Sequence, residues 1–450
     1  MPDFDLLLRN AQIVFEDRVK RADIAITEGR IAAVDASIEG IATGEIDCTT
    51  LHVFPGVIDS HVHFNEPGRA DWEGLATGSR AVAAGGGTCF FDMPLNSDPP
   101  VLDGAAFDAK RREAEAKSIV DFGIWGGLTP LNLNRLQELA ACGIVGFKAY
   151  MSNSGIPEFP RADEETLRKG MEIAVKLGVL VAVHAEDEAL TASLAGSARE
   201  RTARAYLDAR PARAEVIAIG RAIELASETG CALHIVHVST PDGVALVREA
   251  KANGRDVTCE TCPHYLCLQE DDVLRLGAVA KCAPPTRDES TRTKLVTDVL
   301  AGGVDTLGSD HSPAPPSMKQ GDDFFAIWGG IAGAQHLFPL MLDLWQCEGC
   351  ADWSLLSRML SENVARRFRL PPDLGAIRIG GQANLALIDL EASEEVSMER
   401  LHYRHKMTPY AGRTLRGRVV RTLLRGQTIA RDGQAAGFAP DGRLVAPQRT

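Results

Sequence analysis

The middle of the chain alternates between two textures. Eight short runs rich in β-formers follow one another: Val53–Asp59, Gly87–Met93, Val120–Leu128, Ile144–Met151, Val179–Glu186, Cys231–Ser239, Asp256–Tyr265 and Val304–Ser309. Between them lie stretches with helix-like periodicity, among them Gly74–Ala84, Glu164–Lys176, Ala214–Glu228 and Thr240–Ala252. Strands separated by helices restrict the chain to α/β folds with a parallel sheet. Eight such units are the number that a (β/α)8 TIM-like barrel needs, although an open doubly wound sheet alternates in the same way. No short-period repeat or low-complexity tract interrupts the pattern.

The two ends differ from the middle and resemble each other. Phe4–Val14 and Ala22–Val34 alternate apolar and polar residues, with a Glu28-Gly29-Arg30 turn between strands Asp23–Thr27 and Ile31–Val34. Similar strands return at Asn384–Asp389, Arg418–Thr422 and Gln427–Ala430, with Gly426 and Gly433 as turns. This predicts a small β domain made from residues 1–53 plus 375–450, with the barrel inserted over 54–374. Composition sets the outer limits. At 450 residues, 45% hydrophobic and 24% charged, the chain is of ordinary globular make-up. A net charge of −13 offers no basic footprint for nucleic acid. No apolar run approaches the roughly 20 residues of a membrane span, and the acidic start Met-Pro-Asp-Phe-Asp lacks a signal-peptide layout. A cytoplasmic location with free thiols is expected. Cys259/Cys262 and Cys347/Cys350 are two Cys-x-x-Cys pairs, one in an apolar strand-like run and one in a loop. They read as small residues and not as a zinc site.

Ligand-type side chains sit at the ends of the apolar runs. The first ends in His61-Val62-His63, and residues i and i+2 of a strand face the same way, so both imidazoles can serve one ion. Lys148 ends the fourth run, His184 the fifth, His237 the sixth and Asp310 the eighth. Each alone has an ordinary explanation: a core histidine, a lysine reaching solvent, an aspartate capping a helix. Five strands placing such groups at the same end, where a barrel keeps its active site, is much harder to attribute to chance. Histidines and a carboxylate suit zinc or a similar divalent ion. Lys148 fits among them only if its amine has taken up carbon dioxide as a carbamate, which can bridge two metals. Two metals sharing a hydroxide would supply a nucleophile at neutral pH, with Asp310 moving its proton to a departing nitrogen.

Further motifs surround these residues. They are His61-Val62-His63-Phe64-Asn65-Glu66-Pro67-Gly68-Arg69, Trp72-Glu73-Gly74, Asp92-Met93-Pro94-Leu95-Asn96-Ser97, Gly146-Phe147-Lys148-Ala149-Tyr150, His184-Ala185-Glu186, Cys262-Pro263-His264-Tyr265-Leu266 and Ser309-Asp310-His311-Ser312-Pro313. With them the chain resembles, over nearly its whole length, the cyclic amidohydrolases of the amidohydrolase superfamily, and among these most closely the allantoinases. The resemblance implies a barrel with a small β-sandwich built from both chain ends. It also implies two divalent metal ions, expected to be zinc, held by His61, His63, carboxylated Lys148, His184, His237 and Asp310. A homotetramer is the assembly usual for such relatives.

The same resemblance bears on the substrate. Dihydroorotases carry an arginine where this chain has Asn65, an asparagine at Ala283 and a histidine at Ala314. Hydantoinases and dihydropyrimidinases carry a tyrosine five residues beyond the bridging lysine, where this chain has Asn153. Asn65, Leu95-Asn96-Ser97 and Ser312-Pro313 follow the allantoinase pattern instead. The expected reaction is therefore opening of the allantoin ring to allantoate. Other cyclic ureides, as in a hydantoinase, or dihydroorotate are the alternatives. A metal-free scaffold is disfavoured because all six ligand positions are kept. Asn96 is the expected substrate contact, although an asparagine ahead of Pro99-Pro100 also suits a turn. Glu66 and Glu73 are either acids near the mouth or helix-start residues. His264 and His311 are expected to support the site, His234 to lie deeper in the core, and Cys262 and Cys282 not to be nucleophiles.

Overall fold

The computed structural model describes residues 2–435, 437 and 439–449; positions 1, 436, 438 and 450 of the terminal segments lie outside the described residues. The alternating N-terminal residues form β1 (Phe4–Val14), β2 (Val19–Thr27), β3 (Arg30–Asp35), β4 (Ala42–Asp47) and β5 (His52–Pro55). The tight β2–β3 turn places Glu28 and Gly29 at φ 49° and 75°, a region that glycine enters freely. β1 divides the sheet: residues 4–9 pair with β4, whereas Gln12 and Ile13 pair with β5.

Gly56 marks the passage into the barrel. The apolar run Val53–Asp59, expected as one strand, is two: β5 ends at Pro55, and β6 (Val57–Val62) begins a second sheet. A Cβ on Gly56 would lie 2.3 Å from Thr88 Oγ1, so only glycine fits where the chain crosses over. β6 pairs with β7 (Gly87–Asp92), and β7 with β8 (Asp121–Ile124), all parallel. β9 (Gly126–Gly127), β10 (Phe147–Tyr150), β11 (Val181–His184), β12 (Leu233–Ile235), β13 (Val257–Thr261) and β14 (Thr306–Leu307) continue in parallel order. β8 and β9 are one barrel strand interrupted at Trp125, whose indole Nε1 donates to Ser60 O at 3.1 Å.

The ring closes between its first and eighth strands. Val62 pairs with His311, and His63 N donates to His311 O at 2.7 Å. An open doubly wound sheet is thereby excluded. The helices between strands follow the periodic stretches closely. Glu164–Leu177 is capped by Asp163, which accepts from Thr166 N, and stopped by left-handed Gly178; Pro241–Ala252 starts behind Thr240.

The C-terminal strands β15 (Leu385–Glu395), β16 (Thr414–Leu424) and β17 (Gln427–Arg431) return to the first sheet, β15 lying antiparallel against β5. The eight strands of that sheet thus come from both ends of the chain. Leu8, Ile13 and Ile24 share one core with Leu385, Leu387 and Leu423. Beyond β17 the chain lies against the barrel: Gly442 N donates to Ser118 O at 3.0 Å and Val445 N to Phe122 O at 2.8 Å. Among the described residues, no helix is long and apolar enough to cross a membrane.

Candidate metal centre

The strand ends meet. His61, in β6, and His63, just beyond it, face one side, and Asp310 reaches them from beyond β14. Asp310 Oδ1 lies 3.2 Å from His61 Nε2 and 3.4 Å from His63 Nε2. Among the described residues these three form one buried group whose ligand atoms all lie within 4.8 Å of one another. A second pair adjoins it: His184 Nδ1 and His237 Nε2 are 3.0 Å apart, and the His61 and His237 rings are 5.4 Å apart. Lys148, on β10, is fully buried, and its Nζ has no hydrogen-bond partner. The chain turns sharply as it leaves the strands: His237 and Asp310 have φ 41° and 45°, and Asn65 and Asn96 have 65° and 66°. Such backbone costs roughly 1 kcal/mol or more per residue, and it collects where function holds a side chain in place.

Burial, only partly opposed by nearby carboxylates, governs the electrostatics. The histidines His63, His184 and His237 are all pushed below the ordinary imidazole value by burial, so their neutral, ligating forms are favoured. Burial likewise lowers the Lys148 amine to about 7, despite the opposing pull of Asp310 and Glu260. Burial raises Asp310, but neighbouring His61 and His63 more than offset this and hold its carboxyl well below the usual range. An unpartnered amine, an unpartnered His61 Nε2 and a charged carboxylate facing one space are poorly satisfied by each other. A divalent cation fits them, because it uses the lone pairs that the protein leaves free.

Two carboxylates lie behind the histidines in a role that the sequence reading did not assign. His61 Nδ1 donates to Glu260 Oε1 at 2.8 Å, and Ser60 Oγ donates to Glu260 Oε2 at 2.5 Å. His184 Nε2 donates to Glu186 Oε2 at 2.8 Å, and Arg210 pairs with the same oxygen. The one available signal was a carboxylate inside an otherwise apolar strand, as at Glu260 of β13. Tyr150 was likewise unassigned; its ring stacks on His184 at 4.6 Å.

A cavity of about 310 Å³ opens on this group, with His63, Asn96, His184, His237 and Asp310 in its wall. Asn96 also places Nδ2 3.4 Å from His63 Nδ1. Asn153, Ala283 and Ser312 line the cavity, but Asn65 does not: its Nδ2 approaches Pro313 O at 3.5 Å. A larger cavity of about 430 Å³, lined by Val145, Leu180 and Pro447, contains none of the ligand-type residues. Glu66 and Glu73 are structural. Glu66 accepts from Leu75 N at the start of a helix, and Glu73 accepts from Arg404 N. His311 Nδ1 accepts from Gly333 N and Ala334 N. His264 is buried with neither ring nitrogen bonded, and burial lowers it to about 4. His234 lies deeper and bonds Thr258 Oγ1 at 2.8 Å. Burial raises Cys262 and Cys282, so both stay as thiols, and among the described residues no group joins the two Cys-x-x-Cys pairs.

Comparison with known proteins follows the same lines. Residues 52–429 match the model of the amidohydrolase family. The chain is 51% identical to an allantoinase of Rubrobacter xylanophilus, covering 100% of this chain and 99% of that one. It is 52% identical to an allantoinase of Solibacter usitatus, over 99% and 97%. Among solved structures, an L-hydantoinase (dihydropyrimidinase) from Arthrobacter aurescens superposes with a TM-score of 0.95 at 32% identity, covering 98% of this chain and 100% of that one.

Proposed function

The chain belongs to the amidohydrolase family, and on that premise we propose that it is a metal-dependent hydrolase that opens the ring of allantoin to give allantoate. The observation that carries this reading is the convergence of His61, His63 and Asp310 beside His184, His237 and the unpartnered amine of Lys148. Full-length identity of about half to proteins named allantoinase supports the choice of ring. The six residues would hold two divalent ions, zinc by donor type, with Lys148 as the carbamate formed by its neutral amine and carbon dioxide. When bound, the metal supplies Lewis acidity and lowers the pKa of water at the site.

The chain's own groups do the rest. Asp310, charged at neutral pH, accepts the proton of the attacking water and delivers it to the departing ring nitrogen. Glu260 and Glu186 hold His61 and His184 in single tautomers, so the lone pairs they present are fixed before substrate arrives. Asn96 contributes an amide both to His63 and to the cavity that receives the ring. A homotetramer belongs to this reading by family resemblance. The close backbone likeness to a hydantoinase favours a second reading, hydrolysis of other cyclic ureides.

Hydrolysis of allantoin, hydantoin, dihydrouracil and dihydroorotate by metal-loaded protein with bicarbonate present separates these readings. Allantoin is expected to turn over well above the others, with activity lost in Lys148→Ala. Preferred turnover of hydantoin or dihydrouracil would move the assignment to the second reading, and strong turnover of dihydroorotate would overturn both.

A further inference from the structure

One wall of the cavity is held in an unusual way. Residues 320–330 contain no helix or strand, yet Phe325, Ile327, Trp328 and Gly329 line the same cavity as His184 and Asp310. Two lysines tie this segment down. Lys281, only 3% exposed, donates from Nζ to Phe325 O at 3.3 Å and to Ile327 O, with its ammonium 4.6 Å from the Tyr206 ring. Lys319, half-buried, donates to Gly330 O at 2.6 Å and to Ala278 O at 3.2 Å. Neither has a carboxylate within ion-pair distance among the described residues; the nearby Asp323 pairs with Arg201. Taking an ammonium out of water without a counter-ion is costly, and burial pushes both amines down to about 7. Their compensation is the set of main-chain carbonyls, which fixes the path of the segment. At its end, a Cβ on Gly330 would meet Ser312 O at 2.1 Å, which pins the exit.

Gly329 has the opposite character. Its φ does not lie in the left-handed region, and an added Cβ would meet nothing nearer than Lys281 at 3.9 Å. Neither backbone nor packing requires glycine there, so the missing side chain leaves space in the cavity itself. We propose that Lys281 and Lys319 are positioning residues that clamp residues 324–330 as the wall receiving the ureido tail that allantoin carries on its hydantoin ring. Gly329 provides the room for that tail, so the wall sets the preference for a tail-bearing ring over bare hydantoin. This inference rests on the allantoin reading above.

Three variants of the metal-loaded protein test it. Gly329→Val is expected to lower kcat/KM for allantoin about tenfold more than for hydantoin, through KM, with bound metal and Tm as in the wild type. Lys281→Met is expected to produce the same split and to speed amide hydrogen exchange in 324–330, and Lys281→Arg to recover part of both. Equal losses on the two rings, or no loss in Gly329→Val, would overturn the selectivity. Unchanged exchange across 324–330 in Lys281→Met would overturn the clamp. If the wild type opens neither ring, the functional reading and the tail assignment fail together, and the exchange measurement still decides whether the lysines clamp the wall.

Discussion

His61 and His184 each give one ring proton to a buried glutamate, but from opposite nitrogens: Nδ1 to Glu260 and Nε2 to Glu186. The lone pairs left over, on His61 Nε2 and His184 Nδ1, are the ones turned toward Asp310 and His237. A carboxylate behind a ligating imidazole fixes its tautomer and raises its basicity. Glu260→Gln is therefore expected to weaken metal binding by roughly 10- to 100-fold, read by chelator competition. Unchanged affinity would reduce Glu260 to packing. A residue away from the centre contributes to the pH dependence of stability. Burial lowers His336 to about 4, and its Nδ1 lies 3.3 Å from the Tyr403 hydroxyl. Because the unfolded imidazole titrates near 6.5, the unfolded chain binds the extra proton first as pH falls. The stability tied to neutral His336 is thus complete above about 6.5 and is lost between there and about 4, roughly 3 kcal/mol in all. Urea midpoints at pH 7.5 and 5 should differ less in His336→Gln than in the wild type.

At the level of the element, the passage at Gly56 is a tight constraint. Gly56→Ala drives a methyl into the Thr88 side chain, and overpacking of this kind typically costs about 1–3 kcal/mol. A lower denaturant midpoint with unchanged m-value is the expected result. This junction also marks the limit of what the amino-acid order discloses. The barrel strands are legible because each is a short apolar run, and the candidate ligands because imidazole, amine and carboxylate stand out at the ends of such runs. Gly56 is not legible, since nothing local distinguishes Pro55 from Val57 as members of two sheets. Glu260 hides within its strand because its partner His61 is remote in sequence, and a long-range hydrogen bond leaves no periodic trace. The left-handed turns at His237 and Asp310 and the closure of Val62 on His311 are likewise products of tertiary packing. Asn65 shows the same limit from the other side: its identity matched a pattern, but its amide turns to Pro313 and away from the cavity.

For the molecule as a whole, the last residues act as a strap on the barrel. Val445 is buried, Gln448 N donates to Arg369 O at 2.8 Å, and Arg449 reaches the carbonyls of Ala140 and Ile144. Removing residues 442–450 is expected to lower stability by a few kcal/mol, since each net hydrogen bond contributes about 1 kcal/mol and a buried valine about 1.5 or more. Thermal unfolding checks this, and bound metal should stay unchanged because the strap touches none of the ligands. The shared sheet has a consequence for how the protein is made. β5 has β15 as its antiparallel neighbour, and the ribosome adds about 330 residues between them. At roughly 5–20 residues per second, the nascent N-terminal strands wait on the order of 15 to 70 s with one edge unfilled. Until β15 arrives, the edge that carries Val53 and Phe54 lacks its native partner, so the yield of folded protein in the cell is expected to depend on how that open edge is guarded during synthesis.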